Sequence, residues 1–180
     1  NTLKLIFTDL DTSGLCVRFA RTGQLECLKY AREQGCKMNE YVGQAAANGH
    51  LECLKYVRSR KCNKCHTYDS FEDLPPECEC GGVYEDGCEW DISTCNIAAK
   101  GGYLDCLKYL IENGCEFDER TTEYAAGGGH LDCLKYLIEN GCEIDDETCK
   151  LAAIHGHLHI LEYLYENRCG ICHACGSCGV

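Results

Sequence analysis

The apolar positions between residues 131 and 139 recur at three- and four-residue intervals. Leu131, Leu134, Leu137 and Ile138 form one stripe, while Asp132, Lys135 and Glu139 take the opposite face. This spacing predicts an amphipathic helix with one buried side. The segment is also repeated: Gly23-Gln-Leu-Glu-Cys-Leu-Lys-Tyr30 returns at Gly49–Tyr56, Gly102–Tyr109 and Gly129–Tyr136, with a degenerate copy at Gly156–Tyr163. The starting glycines lie 26, 53, 27 and 27 residues apart, so the unit is 27 residues long and the second copy carries an insertion, Lys61 to Asp86.

Each unit reads as two helices. The better-formed one ends at Asn140-Gly141, where glycine supplies the left-handed residue that closes a helix, and Gly35 and Gly114 occupy the same place. The shorter helix starts after Asp91, Asp118 or Asp145 and carries an Ala-Ala pair, Ala98-Ala99, Ala125-Ala126 and Ala152-Ala153, small enough for close helix approach. One such pair cannot bury its own apolar stripe, so units must stack, advancing about 10 Å per repeat. The expected fold is all-α, a solenoid over 1–168. It enters on a half repeat, 1–22, with Phe19-Ala20 in the Ala-Ala phase, and continues with units from 23, 49, 102, 129 and 156. The insertion, 61–86, and a cysteine-rich tail, 169–180, stand outside the array.

The phrase Ala-Ala-x-x-Gly-His-Leu-x-Cys-Leu-x-Tyr-Leu-x-x-Asn-Gly-Cys-x-x-Asp, from Ala125 to Asp145, resembles the ankyrin repeat. The departures are the absent Thr-Pro-Leu-His tetrapeptide and a unit about six residues shorter than the usual 33. The missing length is assigned between Asp145 and Ala152, with the β-hairpin finger of the family reduced to a tight loop. The short, cysteine-rich form is similar to ankyrin-like arrays of giant DNA viruses and some protists. The resemblance implies a scaffold that binds other proteins.

Composition narrows the function classes. The 180 residues carry 17 basic and 29 acidic side chains, a net charge of −12. Without a basic cluster such a chain lacks the footprint for phosphate backbones, so neither nucleic acid nor an anionic membrane is an expected partner. No run of about 18 apolar residues is present to span a bilayer. The opening Asn1-Thr2-Leu3, with no methionine and no charged-then-apolar leader, reads as a trimmed or processed piece.

Nineteen cysteines would ordinarily suggest a secreted disulfide scaffold. Repeat phase argues otherwise. Cys27, Cys53, Cys106 and Cys133 fall on the buried stripe, Cys36, Cys88, Cys115 and Cys142 each follow a glycine, and Cys16, Cys95 and Cys149 share a phase on the shorter helix. These eleven are expected as small hydrophobes, with equivalent positions in adjacent units beyond the roughly 7 Å that a disulfide spans between Cα atoms. A reducing, intracellular compartment, host cytoplasm or virion, is the corresponding expectation.

The remaining eight form two clusters. Cys62-x2-Cys65 and Cys78-x-Cys80, twelve residues apart, have the spacing of two chelating pairs that close a tetrahedral zinc site, with His66 as an alternative ligand. Zinc would also stabilise an insertion with few apolar residues. Cys169, Cys172, Cys175 and Cys178 offer a second zinc set, although Cys169 also aligns with the structural Cys142. One or two zinc ions are therefore expected. An iron–sulfur cluster is a minor alternative for the tail, and its Cys-x-x-Cys-His pattern lacks the exported setting that haem attachment needs.

No catalytic constellation is legible. His50, His130 and His157 share the Gly-His phase and are expected to hydrogen-bond between units, and Gly127-Gly128-Gly129 is a turn rather than a phosphate loop. The expected function is a non-enzymatic interaction scaffold. Alternatives are a structural component cementing a viral capsid or larger assembly, or a ubiquitin-ligase component whose tail opens a RING-like domain. Sequence varies most at the inter-repeat loops, which nominates Trp90, Asp91, Phe117, Asp118, Glu119, Ile144, Asp145 and Asp146 as partner-binding residues. Aromatic anchors amid carboxylates suit a basic partner surface with apolar pockets.

Overall fold

The computed structural model describes residues 12–34, 40–58, 60–62, 67–68, 84–85 and 90–167. Its contacts divide the chain into two units, Asn1–Trp90 and Asp91–Val180. In the first unit, helices α1 (Thr12–Arg21), α2 (Leu25–Glu33), α3 (Glu40–Ala46) and α4 (Leu51–Arg58) precede three short strands, β1 (Arg60–Cys62), β2 (Thr67–Tyr68) and β3 (Tyr84–Glu85). The second holds α5 (Ile92–Gly101), α6 (Leu104–Glu112), α7 (Glu119–Gly128), α8 (Leu131–Glu139), α9 (Asp146–Ile154) and α10 (Leu158–Glu166).

Successive helices form antiparallel pairs that stack within each unit. In the second unit α5 packs on α6, α7 on α8 and α9 on α10, while α5, α7 and α9 lie side by side and α6 contacts α8. Side chains explain the order. Ala98, Ala99, Ala125 and Ala126 are completely buried on the helices that lie side by side, where small residues permit close approach. Cys106, Leu107 and Leu110 on α6, and Cys133, Leu134 and Leu137 on α8, fill the interior. Each buried leucine contributes on the order of 1.5–3 kcal/mol of transfer free energy.

Helix ends follow the expected chemistry. Asp91 Oδ1 accepts from the Thr94 amide at 3.2 Å, and Asp145 Oδ1 from the Thr148 amide at 2.9 Å. Asp118 and Thr121 form a reciprocal capping box. The helices carrying the Ala-Ala pair are not shorter than their partners: α5 and α7 have 10 residues against 9 in α6 and α8. Asp145 itself caps α9, so the residues from 146 onward are helical and the connection from α8 to α9 is the short loop 140–145. The segment assigned as an entering half repeat supplies α1, which pairs with α2 as the first helix of a complete pair.

The insertion adds what periodicity did not foresee. Central strand β1 pairs antiparallel with both neighbours, in the order β2-β1-β3, with Lys61 opposite Thr67 and Glu85 and Cys62 opposite Tyr84. Strands of two or three residues are too short to show an alternating pattern.

Candidate functional site

The nominated loop residues divide between the two units. Trp90 closes the first, where the Arg58 guanidinium lies 4.6 Å above its ring. The other seven lie in the second unit, at the starts of α5, α7 and α9. Because α7 and α9 run side by side, Phe117-Asp118-Glu119 and Ile144-Asp145-Asp146 are brought to one edge. Glu119 and Asp146 are exposed there, and Phe117 and Ile144 are half-buried.

Three of the nominated carboxylates hold helix N-termini. Asp91 Oδ1 also accepts from the Ser93 hydroxyl at 2.6 Å and the Thr94 hydroxyl at 3.1 Å. Asp118 Oδ1 accepts from the Arg120 amide at 3.0 Å. Burial would raise the Asp145 pKa, but hydrogen bonds from the Thr148 amide and hydroxyl outweigh it and hold the carboxyl below its ordinary value. Glu123 moves the other way: burial raises its pKa first, and the neighbouring Asp145 and Glu147 charges and a hydrogen bond with Asp145 raise it further. Glu123 and Asp145 are therefore shifted in opposite directions within one acidic cluster. Sequence reading passed over Glu123 and Glu147 because they lie within helices, away from the variable loops.

The repeat-phase histidines tie one pair to the next. The Nε2–H groups of His50, His130 and His157 donate to the carbonyls of Arg21, Lys100 and Gly127 at 2.9, 3.1 and 3.0 Å, as the sequence predicts. His159 adds a further bond, to Gly129 O at 3.1 Å. The repeated Leu-Lys-Tyr has a similar use: Lys108 lies 5.6 Å from the Tyr136 ring and Lys135 5.1 Å from the Tyr163 ring, contacts worth about 0.5–1 kcal/mol each at exposed sites.

The thiols are set for packing rather than nucleophilic attack. Cys142 donates to Asp118 O at 3.0 Å and Cys115 to Asp91 O at 3.4 Å, each closing its own helix pair. Burial, reinforced by the adjacent Asp132, pushes Cys133 up to about 11, and burial with the Asp118 and Glu119 charges does the same to Cys142. A nucleophile needs the opposite shift. Two expectations are corrected. Cys27 is exposed, since among the described residues no earlier helix pair covers α2. Cys16 is disulfide-bonded rather than a free thiol. The spacing argument concerned equivalent positions, and the equivalent of Cys16 in the next unit is Val42, so that argument did not bear on this bond.

Of the nominated zinc ligands, Cys62 ends β1, and Cys65, Cys78, Cys80, Cys169, Cys172, Cys175 and Cys178 lie outside the described residues. Cys36 and Cys88 also lie outside them. Among the described residues no group of three or more histidine, cysteine or acidic side chains is placed to hold a metal ion. Nor is any described helix long and apolar enough to cross a membrane.

Residues 95–175 match the family model for ankyrin repeats in three copies. That stretch of the chain is built of ankyrin repeats. The fold of the chain is similar to the crystal structure of the human ASB11 ankyrin repeat domain, with a TM-score of 0.57 and 18% identity, covering 85% of this chain and 68% of that one. No curated protein matches the chain. In ankyrin terms, Asp118 to Asp146 spans one repeat and the start of the next, and the reduced finger is where the acidic edge lies.

Proposed function

We propose that this ankyrin array is a non-catalytic scaffold that binds a protein through the loop edge of its second unit, and that the bound surface is basic with an apolar side chain at its centre. The observation that carries this reading is the side-by-side packing of α7 and α9 in adjacent repeats. It brings two acidic loops together around half-buried Phe117 and Ile144. A cationic partner would relieve the crowding of like charges there, and an apolar one would cover the two side chains. The caps at Asp118 and Asp145 keep the edge ordered before binding, which lowers the entropy lost on association.

Fluorescence polarisation with a labelled lysine- and arginine-rich peptide carrying leucines tests it, using the same peptide with glutamate at every basic position as comparison. Binding should fall with salt, and Phe117→Ala with Ile144→Ala should weaken it by about 30-fold, the effect of a 2 kcal/mol hot spot. Equal binding of the two peptides, or unchanged binding by the variant with the helical content preserved, would refute the reading.

Zinc in the insertion is part of the same proposal. In sequence Cys65 falls between β1 and β2, and Cys78 and Cys80 between β2 and β3, so the ligand pairs flank strands that the sheet already joins. Four thiolates would close the metal's shell, giving it a structural role. Tail cysteines Cys169, Cys172, Cys175 and Cys178 would take a second ion. Native mass spectrometry without chelator should show one or two zinc ions above the denatured mass. A metal-free mass from zinc-supplemented preparations would refute this part.

A further inference from the structure

The histidine bridges set a pattern that changes at the last helix pair. A Cβ placed on Gly23, Gly102 or Gly129 would run into the ring of His50, His130 or His157, in each case a histidine of the following pair. Each ring also bonds the carbonyl two residues before its glycine, at Arg21, Lys100 and Gly127. Gly156 holds the same phase and the same left-handed backbone, φ +75°. No described residue lies within 4 Å of a Cβ placed there, and Ile154 supplies the carbonyl two residues before it.

The helices around Gly156 repeat the contrast. Ala99 and Ala126 are completely buried, whereas Ala153 in the same phase is exposed. Leu107 and Leu134 are buried, whereas Leu161 in their phase is half-buried. Ile154 on α9 is 74% exposed, and Leu158 and Tyr165 on α10 are 63% and 66% exposed. Leu158, Leu161 and Tyr165 fall on one stripe of α10 at i, i+3 and i+7. The pair α9–α10 thus carries an apolar face with a histidine-accepting glycine beside it.

We propose that the cysteine-rich tail covers this face as a C-terminal cap on the last described pair. Residues 168–173 would run back along α10, with Ile171 over Leu158 and Leu161. The His173 ring would lie against Gly156 and donate its Nε2–H to Ile154 O, repeating the bridge made at Gly129. Chain length allows it. The nine residues of α10 span about 13 Å, and an extended chain from Glu166 to His173 reaches about 23 Å. Histidine usage selects the same residue. His50, His130 and His157 serve the earlier glycines, His155 bonds Leu151 O at 2.9 Å one turn back, and His159 bonds Gly129 O at 3.1 Å. His66 belongs to the insertion in the first unit, which leaves His173, on the segment that leaves α10.

A second copy stacked end to end fits the face less well. Where the interior pairs have Ala98 or Ala125, the first described pair has half-buried Phe19, too large for the close helix approach that alanine allows. The cap is also compatible with zinc on the tail, because four thiolates fill the metal's shell without His173.

Nuclear Overhauser spectra of the native full-length chain test the cap. The Gly156 Hα protons should show cross-peaks to the His173 ring, as Gly129 Hα does to the His157 ring. His173→Ala should remove the first set and keep the second, which reports that the array is intact. A Gly156 without cross-peaks to His173, in a sample that shows those between Gly129 and His157, would overturn the proposal. So would cross-peaks that arise between labelled and unlabelled chains in a mixed sample, which would assign the face to a second copy. Urea unfolding gives an independent reading: Gly156→Ala and His173→Ala together should lower the midpoint by less than the sum of their separate effects, and additive losses would overturn the contact.

Discussion

Substituting Gly129 by alanine should weaken the array more than substituting Gly141, although both glycines are left-handed. Gly129 has φ +80° and Gly141 φ +87°, so each alanine meets the same backbone penalty, roughly 1–2 kcal/mol. Their surroundings differ. A Cβ at Gly141 would meet nothing within 4 Å, whereas one at Gly129 would lie 2.7 Å from His157 Cε1 and 2.8 Å from its Nδ1. The imidazole must then move, and its 3.0 Å bond to Gly127 O, worth about 0.5–1.5 kcal/mol net, is broken. Gly129→Ala should therefore cost about 2–3 kcal/mol and Gly141→Ala about 1–2 kcal/mol. Urea unfolding followed by far-ultraviolet circular dichroism gives both values. Adding His157→Ala to Gly129→Ala should cost less than His157→Ala does alone, because the bond is already lost. Equal destabilisation by the two glycine substitutions, or additive losses in the double variant, would refute the claim that the repeat glycine exists to admit the histidine.

Asp145→Ala should destabilise the fold by about 1 kcal/mol at pH 7, the usual worth of an N-cap. Because the folded carboxyl titrates below its ordinary 3.8, its contribution is present above that pH and disappears as pH falls through the folded value. Urea titrations of the variant and the parent chain should therefore converge in acid. Glu123→Gln should stabilise the fold at pH 7. The raised folded pKa of Glu123 means that its favourable protonated form is complete only below about 4.5 and is lost as pH rises through the folded value. Thermal unfolding at pH 7 and at pH 4 would show the gain at the higher pH and little at the lower, and an unchanged midpoint at pH 7 would contradict it.

Much of the array is legible because one physical solution is written several times. The stripe at Leu131, Leu134 and Leu137 recurs at Leu104, Leu107 and Leu110; Leu107, Leu110, Leu134 and Leu137 are buried, while Leu104, Leu131 and Ile138 are half-buried. The Asp caps, the Gly turns and the histidine bridges follow from residue type at fixed phase. What escaped sequence reading depends on neighbours distant in the chain. Arg32 is buried because it reaches Tyr56 O at 3.1 Å on the next pair, and nothing local to α2 announces that. The acidic cluster escaped for the same reason: Glu123 meets Asp145 only when α7 and α9 lie side by side. At Cys27 the repeat phase was right and the exposure wrong, since phase describes an interior repeat and α2 belongs to the first described pair.

The loop edge of the second unit is tested most directly by residue-resolved amide chemical shifts during titration with the basic, leucine-containing peptide. The account predicts that the largest changes fall on Glu116–Glu119 and Glu143–Asp146, with Glu123 following. Changes centred instead on the lysine–tyrosine ladder of α6, α8 and α10, or spread evenly over the unit, would contradict it.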